Sequence, residues 1–230
     1  MYRQLYQCSQ STVVRCLHPP ISFAFAPQLP SGQRFAPYLM AGILLNTFFS
    51  QGVVLSAESI ANNGGVLTKI YVPPQVFAIS SALAGLINFF IGMIPLALVC
   101  AVTGQYLAIS FPLVFVVGFF LVLLVAGLGL SLSVLFIRFD DTRNIVSVLL
   151  LILMYMTPIF YPISVLSHKM QVIVKLNPIT SFLDCFRWAF SHNAEASWQS
   201  WAYISVTGLA SFWLGITIFK KFWPRTVAML

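Results

Sequence analysis

The sequence predicts an all-α, polytopic membrane helix bundle, and three observations carry that reading. Hydrophobic residues make up 59% of the 230 residues and charged residues only 7%, against about 25% charged in a soluble domain. Whole stretches lack Asp, Glu, Lys and Arg, the longest being 70–137, and a helix needs only about 20 apolar residues to cross a bilayer. The basic residues stand at the ends of these apolar runs, which is how membrane proteins place cytoplasmic Lys and Arg. A net charge of +7 therefore points to a membrane topology and not to a nucleic-acid partner.

Residues 1–36 read as an irregular or interfacial segment. Pro19, Pro20, Pro27 and Pro30, with Pro37 just beyond, interrupt its apolar character, and proline ends or kinks a helix. A cleaved signal peptide fits poorly, because His18, Pro19 and Pro20 stand where its apolar core belongs. The remainder, 37–230, reads as one transmembrane domain. The first credible span is 35–57, ended by Glu58. A polar stretch follows, with a turn at Asn62, Asn63, Gly64 and Gly65. Val66, Leu67, Ile70 and Tyr71 then fall on one side of a short amphipathic helix stopped by Pro73 and Pro74. Two readings stand side by side here: a solvated loop, or a docking helix for a cytosolic partner.

The uncharged run 70–137 suits two spans, 76–102 and 112–137, joined by a turn at Thr103, Gly104, Gln105 and Tyr106. Small residues four apart (Ser81 and Gly85, Gly127 and Ser131, Gly129 and Ser133) are assigned to close helix packing. A charge cluster, Arg138, Asp140, Asp141 and Arg143, opens a fourth span at 144–160. Pro158 and Pro162 bend or stop that span near its far end. Asn177 is placed to cap a helix beginning at Pro178. Ile179, Phe182, Leu183, Phe186 and Phe190 form its apolar side, and Asp184 and Arg187 can pair across one turn. The fifth span is 199–219, closed by Lys220 and Lys221. With alternating spans, Lys69, Arg138, Arg143, Lys220, Lys221 and Arg225 share one face, which the positive-inside rule makes cytoplasmic. Five spans then leave residue 1 outside, so a first span is missing or altered.

The expected spans contain no Asp, Glu, Lys, Arg or His, although ion- and proton-coupled transporters need such groups at membrane depth. His18, His168 and His192 lie outside the spans, and Cys8, Cys16, Cys100 and Cys185 have neither metal-ligand nor disulfide spacing. No GxxxxGK[ST] phosphate loop occurs, so no ATP hydrolysis is expected of this chain. The chain reads as a non-enzyme: a passive or structural membrane protein, or one driven by a second protein.

The run LGLSLSVLFIRFDDTRNIVSVLLLILMYMTPIFYPISVL, with LNPITSFLDCFRWAF after it, resembles the ABC-2-type transporter permeases. More narrowly, it resembles those exporting lipid-linked O-antigen, capsule or teichoic acid polysaccharide. YLMAGILLNTFFSQ and NNGGVLTKIYVPPQVF match the same family in the same order, and the resemblance covers 37–221. It implies a homodimer of six-span subunits in the bacterial cytoplasmic membrane, joined by two copies of a separate ATPase that binds the ATP and Mg, with no cofactor in this chain. It implies a coupling helix at about 60–71, so that Asn62, Asn63, Leu67, Lys69 and Tyr71 would meet the ATPase, assisted by Arg138, Asp140, Asp141 and Arg143. The segments around 158–162 and 177–190 would be short re-entrant helices at the outer mouth. The substrate path would follow the dimer interface, with Tyr155, Phe160 and Tyr161 offering flat aromatic faces to sugar rings. The more frequent role of such aromatics is an interfacial belt, and a local ion pair is preferred to substrate contact for Asp184 and Arg187. The family's basic interfacial helix and first span have no counterpart in 1–36, which reads as a truncated or frame-altered start. The alternatives are an ABC-2 permease for a drug or simple lipid, and a non-transporting remnant or scaffold.

Overall fold

The computed structural model describes residues 35–67, 69, 72–104, 112–139, 141–161, 163, 166–191 and 197–226. The expected irregularity of 1–34 and the missing first span lie outside them. The described residues form eight helices: α1 (Phe35–Asn62), α2 (Gly64–Leu67), α3 (Gln75–Thr103), α4 (Leu113–Arg138), α5 (Thr142–Met156), α6 (His168–Leu176), α7 (Pro178–Ser191) and α8 (Trp198–Thr226). Among them α1, α3, α4 and α8 are long and apolar enough to cross a membrane.

The all-helical bundle is as expected, but three boundaries differ. The first span does not end at Glu58; α1 runs on to Asn62 because Glu58 meets an opposite charge, Arg143 Nε, at 3.1 Å. The span expected at 144–160 is helical for only 15 residues, about 22 Å at 1.5 Å per residue. It stops at Thr157, which is extended (φ −84°, ψ 137°) because a following proline disfavours the helical region. Residues 158–161 are bends and not the re-entrant helix expected there. A separate helix, α6, lies between those bends and α7. The last span also extends past Lys220 and Lys221.

Of the turn expected at 103–106, Thr103 and Gly104 are described and end α3 as expected, while Gln105 and Tyr106 lie outside the described residues. Gly104 sits at φ +70°, and its N–H reaches the carbonyls of Ala101 and Cys100; glycine adopts this left-handed conformation without a Cβ penalty.

α4 is the centre of the bundle, packed on α8 and α1, with α3 against α1. Small residues allow this approach. A Cβ on Gly127 would meet the Ser211 backbone of α8, one on Gly215 would meet the Gly127 backbone, and one on Gly129 would meet Ser56 of α1. Gly127 and Gly129 thus take the packing role expected of them. Ser56, fully buried, donates to the Ala78 carbonyl 2.8 Å away and ties α1 to α3. α7 seats Ile179, Phe182, Leu183, Phe186 and Phe190 in the core, as its spacing predicted. α5 is different: Val146 is its one buried residue, set among Ala57 and Phe136.

Candidate functional site

α5 runs antiparallel to α1 and is tied to it at both ends. At the basic end Arg143 pairs with Glu58. Stepping along both helices from that pair one turn at a time brings Val54 opposite Ser147, Gln51 and Ser50 opposite Leu150 and Leu151, then Thr47 opposite Met154. All of these, with Asn46 and Leu55, line a single open groove of about 480 Å³. Its α1 wall carries amides and hydroxyls at Asn46, Thr47, Ser50 and Gln51; its α5 wall is apolar apart from Ser147. Asn46 is only 6% exposed, and its Oδ1 has no partner among the described residues. Next to the groove, around Phe48 and Gln51 of α1, a smaller cavity of about 90 Å³ reaches Asn88 of α3. A polar stripe at membrane depth costs free energy unless something satisfies it.

At the other end a buried arginine closes the frame. Arg187 of α7 is 4% exposed. Its guanidinium lies 3.5 Å over the Tyr38 ring of α1. Nη1 donates to the Pro158 carbonyl (3.1 Å), and Nη2 to those of Tyr38 (3.2 Å) and Ile159 (3.4 Å). The Tyr38 hydroxyl donates to the carbonyls of Pro158 and Tyr161, both at 3.4 Å. The prolines create this need: the chain from Thr157 to Tyr161 is not helical, so its carbonyls require donors from elsewhere. Asn177 serves twice. Its Oδ1 caps α7 by accepting from the Ile179 N–H (3.1 Å), as expected, and its Nδ2 donates to the Thr157 hydroxyl (3.1 Å). Gly42 leaves room for the clamp, since a Cβ there would stand 2.8 Å from Ile159 Cγ2 and 3.0 Å from Arg187 Nη2.

On α7, burial raises the Asp184 carboxyl to about 6, although Arg187 and then Lys175 pull it down. Burial, aided by Asp184, lifts the neighbouring Cys185 thiol to about 12, so it stays protonated. It behaves as the small apolar residue its sequence context implied.

The residues expected to line a substrate path separate into two groups. Tyr155 is 62% exposed and stacks on Phe160 at 6.4 Å, and the Tyr161 hydroxyl donates to the Tyr155 carbonyl. These three aromatics stand together beside the clamp. Arg187 is buried within it and spends its donors on main-chain carbonyls, with Asp184 half-buried on the same helix.

Of the expected coupling residues, Arg143 is exposed and pairs with Glu58. Asn62, Lys69 and Asp141 are exposed, and Arg138 is half-buried. Asn63 donates to the Ser59 carbonyl at 2.7 Å. The single coupling helix expected at 60–71 is not what forms. Ile60 to Asn62 complete α1, with Ile60 buried among Leu130, Val134 and Phe219. Among the described residues the one-turn α2 follows. Asp140, Tyr71 and the Leu67 side chain lie outside the described residues. Glu58, Tyr38 and the Asn46–Gln51 stripe were missed. Polar residues at 46, 47, 50 and 51 recur on one helical face, and that spacing is visible in the sequence.

The chain matches the ABC-2 type transporter family over residues 1–191. It belongs to that family. It is similar to the O-antigen export system permease protein RfbA of Myxococcus xanthus, at 26% identity over 81% of this chain and 73% of that protein. It is also similar to the RfbA permease of Klebsiella pneumoniae (23%; 88% and 77%) and to the polysialic acid transport protein KpsM of Escherichia coli (24%; 85% and 75%). The family resemblance stated from sequence is thereby borne out, and this ABC-2 permease is a multi-pass membrane protein.

Proposed function

We propose that this permease is the membrane subunit of an exporter of lipid-linked polysaccharide. It would work as a homodimer across the bacterial cytoplasmic membrane, driven by two copies of a separate ATP-binding chain. The observation that carries the reading is the groove between α1 and α5. Amides and hydroxyls at Asn46, Ser50, Gln51 and Ser147 face apolar side chains at Leu150, Leu151 and Met154 within the bundle. Such a wall suits cargo that is hydroxyl-rich at one part and hydrocarbon at another. The relatives' names, O-antigen and polysialic acid transport, point the same way.

In this reading the basic end is cytosolic. Exposed Asn62, Lys69 and Asp141 would meet the ATPase, which holds the ATP and Mg. Tyr155, Phe160 and Tyr161 would form the outer mouth, their ring faces suited to sugars. Deleting the gene tests the proposal: surface polysaccharide is expected to fall while its lipid-linked precursor accumulates inside. Unchanged surface polysaccharide together with unchanged precursor would sink the cargo assignment. Mild solubilisation of the tagged chain is expected to co-purify an ATPase, and repeated recovery without one would remove the motor assignment.

A further inference from the structure

We propose that Glu58 is a positioning residue: through Arg143 it holds the basic end of α5 on α1 and closes that end of the groove, which opens when the pair parts.

The two ties of α5 differ in kind. The tie at its far end is buried, multiply bonded and stacked: Arg187 binds carbonyls at 158 and 159, just past the helix, and lies on Tyr38 of α1. The tie at the basic end is one ion pair, with the Arg143 side chain 44% exposed and that of Glu58 18% exposed. Water screens such a pair, and its contribution is small. Its position gives it leverage all the same. Glu58 lies one turn beyond Val54 and Leu55, and Arg143 one turn before Ser147, the last groove-lining positions on either wall. Between the pair and the groove, α5 buries only Val146. With the pair parted, what remains at that end is apolar, Val146 and half-buried Leu150 against Ala57, Leu132 and Phe136, and the helix pivots about the buried clamp. The pair also sits beside Asn62 and Asp141, on the surface assigned above to the ATPase. A partner pressing there reaches the weaker tie first. The inference uses the transport reading only for what the movement accomplishes.

The test is thiol labelling of the full chain in native membranes, with Val54→Cys reporting the basic end and Met154→Cys the clamped end. Labelling of the chain without the added cysteine is subtracted as background. Both positions are half-buried. Glu58→Gln and Arg143→Gln are each expected to raise labelling at position 54 by about 1.5- to 5-fold, the range an exposed ion pair supports, and to leave position 154 unchanged. The exchanged pair, Glu58→Arg with Arg143→Glu, is expected to bring position 54 back toward its starting rate. Equal rates at position 54 in all variants overturn the proposal. A parallel rise at both positions also overturns it, because that reports general loosening. The labelling readout requires neither ATP hydrolysis nor export, so its failure leaves the transport reading standing, and a failed export assay leaves the closure standing.

Discussion

Replacing Arg187 by alanine is the most demanding test of the clamp. The change removes donors to Pro158 at 3.1 Å and to Tyr38 at 3.2 Å, together with the cation over the Tyr38 ring at 3.5 Å. The 3.4 Å bond to Ile159 is long and counts for little. Hydrogen bonds to a charged group contribute about 1.5–3 kcal/mol each, and the ring contact about 0.5–2 kcal/mol. Against these stands the relief of no longer burying a cation. Carbonyls freed by the non-helical turn have few other donors nearby, and Asp184 loses the main charge that eases its ionisation. The balance is a loss of about 3 kcal/mol, or roughly 6–12 °C in Tm for a chain of this size. The assay is thermal unfolding of the detergent-solubilised full chain, followed by a thiol-reactive dye. Cys100 and Cys185 are buried and free, so they report opening. Arg187→Lys keeps the charge but loses the flat stacking face, and is expected to fall between the two. A Tm for Arg187→Ala within about 2 °C of the parent, less than 1 kcal/mol by the same conversion, would refute the reasoning.

Gly215→Leu drives a side chain into the Gly127 backbone; overpacking costs about 1–3 kcal/mol or more, and reduced membrane accumulation of the full-length chain is the readout. Asp184, raised to about 6 from 3.8, binds its proton more tightly when folded. Its contribution is complete below about pH 4 and is lost as pH rises through about 6. Asp184→Asn is therefore expected to flatten the Tm-versus-pH curve between those values and to raise Tm at pH 7; an unchanged slope contradicts the burial argument. Gln51→Leu is expected to leave Tm near that of the parent, since Gln51 is exposed on the groove, while export of surface polysaccharide drops several-fold; full export removes the groove from the path. Leu67→Asp, which places a charge in the expected docking segment, is expected to leave ATP hydrolysis running while export falls; coupled export at the parent ratio contradicts that docking role.

Much of this was legible in the residues. Apolar runs without charge announce spans, because only a helix satisfies its own backbone in lipid. Gly104 marked the turn after α3, Pro158 marked the stop of α5, and Asn177 with Pro178 marked the start of α7. Each acts through its own backbone or its immediate neighbours, so one strand of sequence suffices to read it. The spacing of Ile179, Phe182, Leu183, Phe186 and Phe190 likewise told which side of α7 is buried.

What escaped that reading depends on residues far apart in the chain. Arg187 was read against Asp184 three positions away, and its charge does act on that carboxyl; what the spacing could not show is that its guanidinium also reaches the Tyr38 carbonyl, 149 positions away, and that of Pro158. Arg143 was read as a docking charge, and its pairing with Glu58, 85 positions earlier, was not visible in the sequence. The sequence alone established a membrane bundle of this family, through local backbone chemistry and the hydropathy of whole segments. Only the tertiary structure decided which charges meet and where a groove remains, because both depend on how antiparallel helices register against one another, and register is a property of packed pairs.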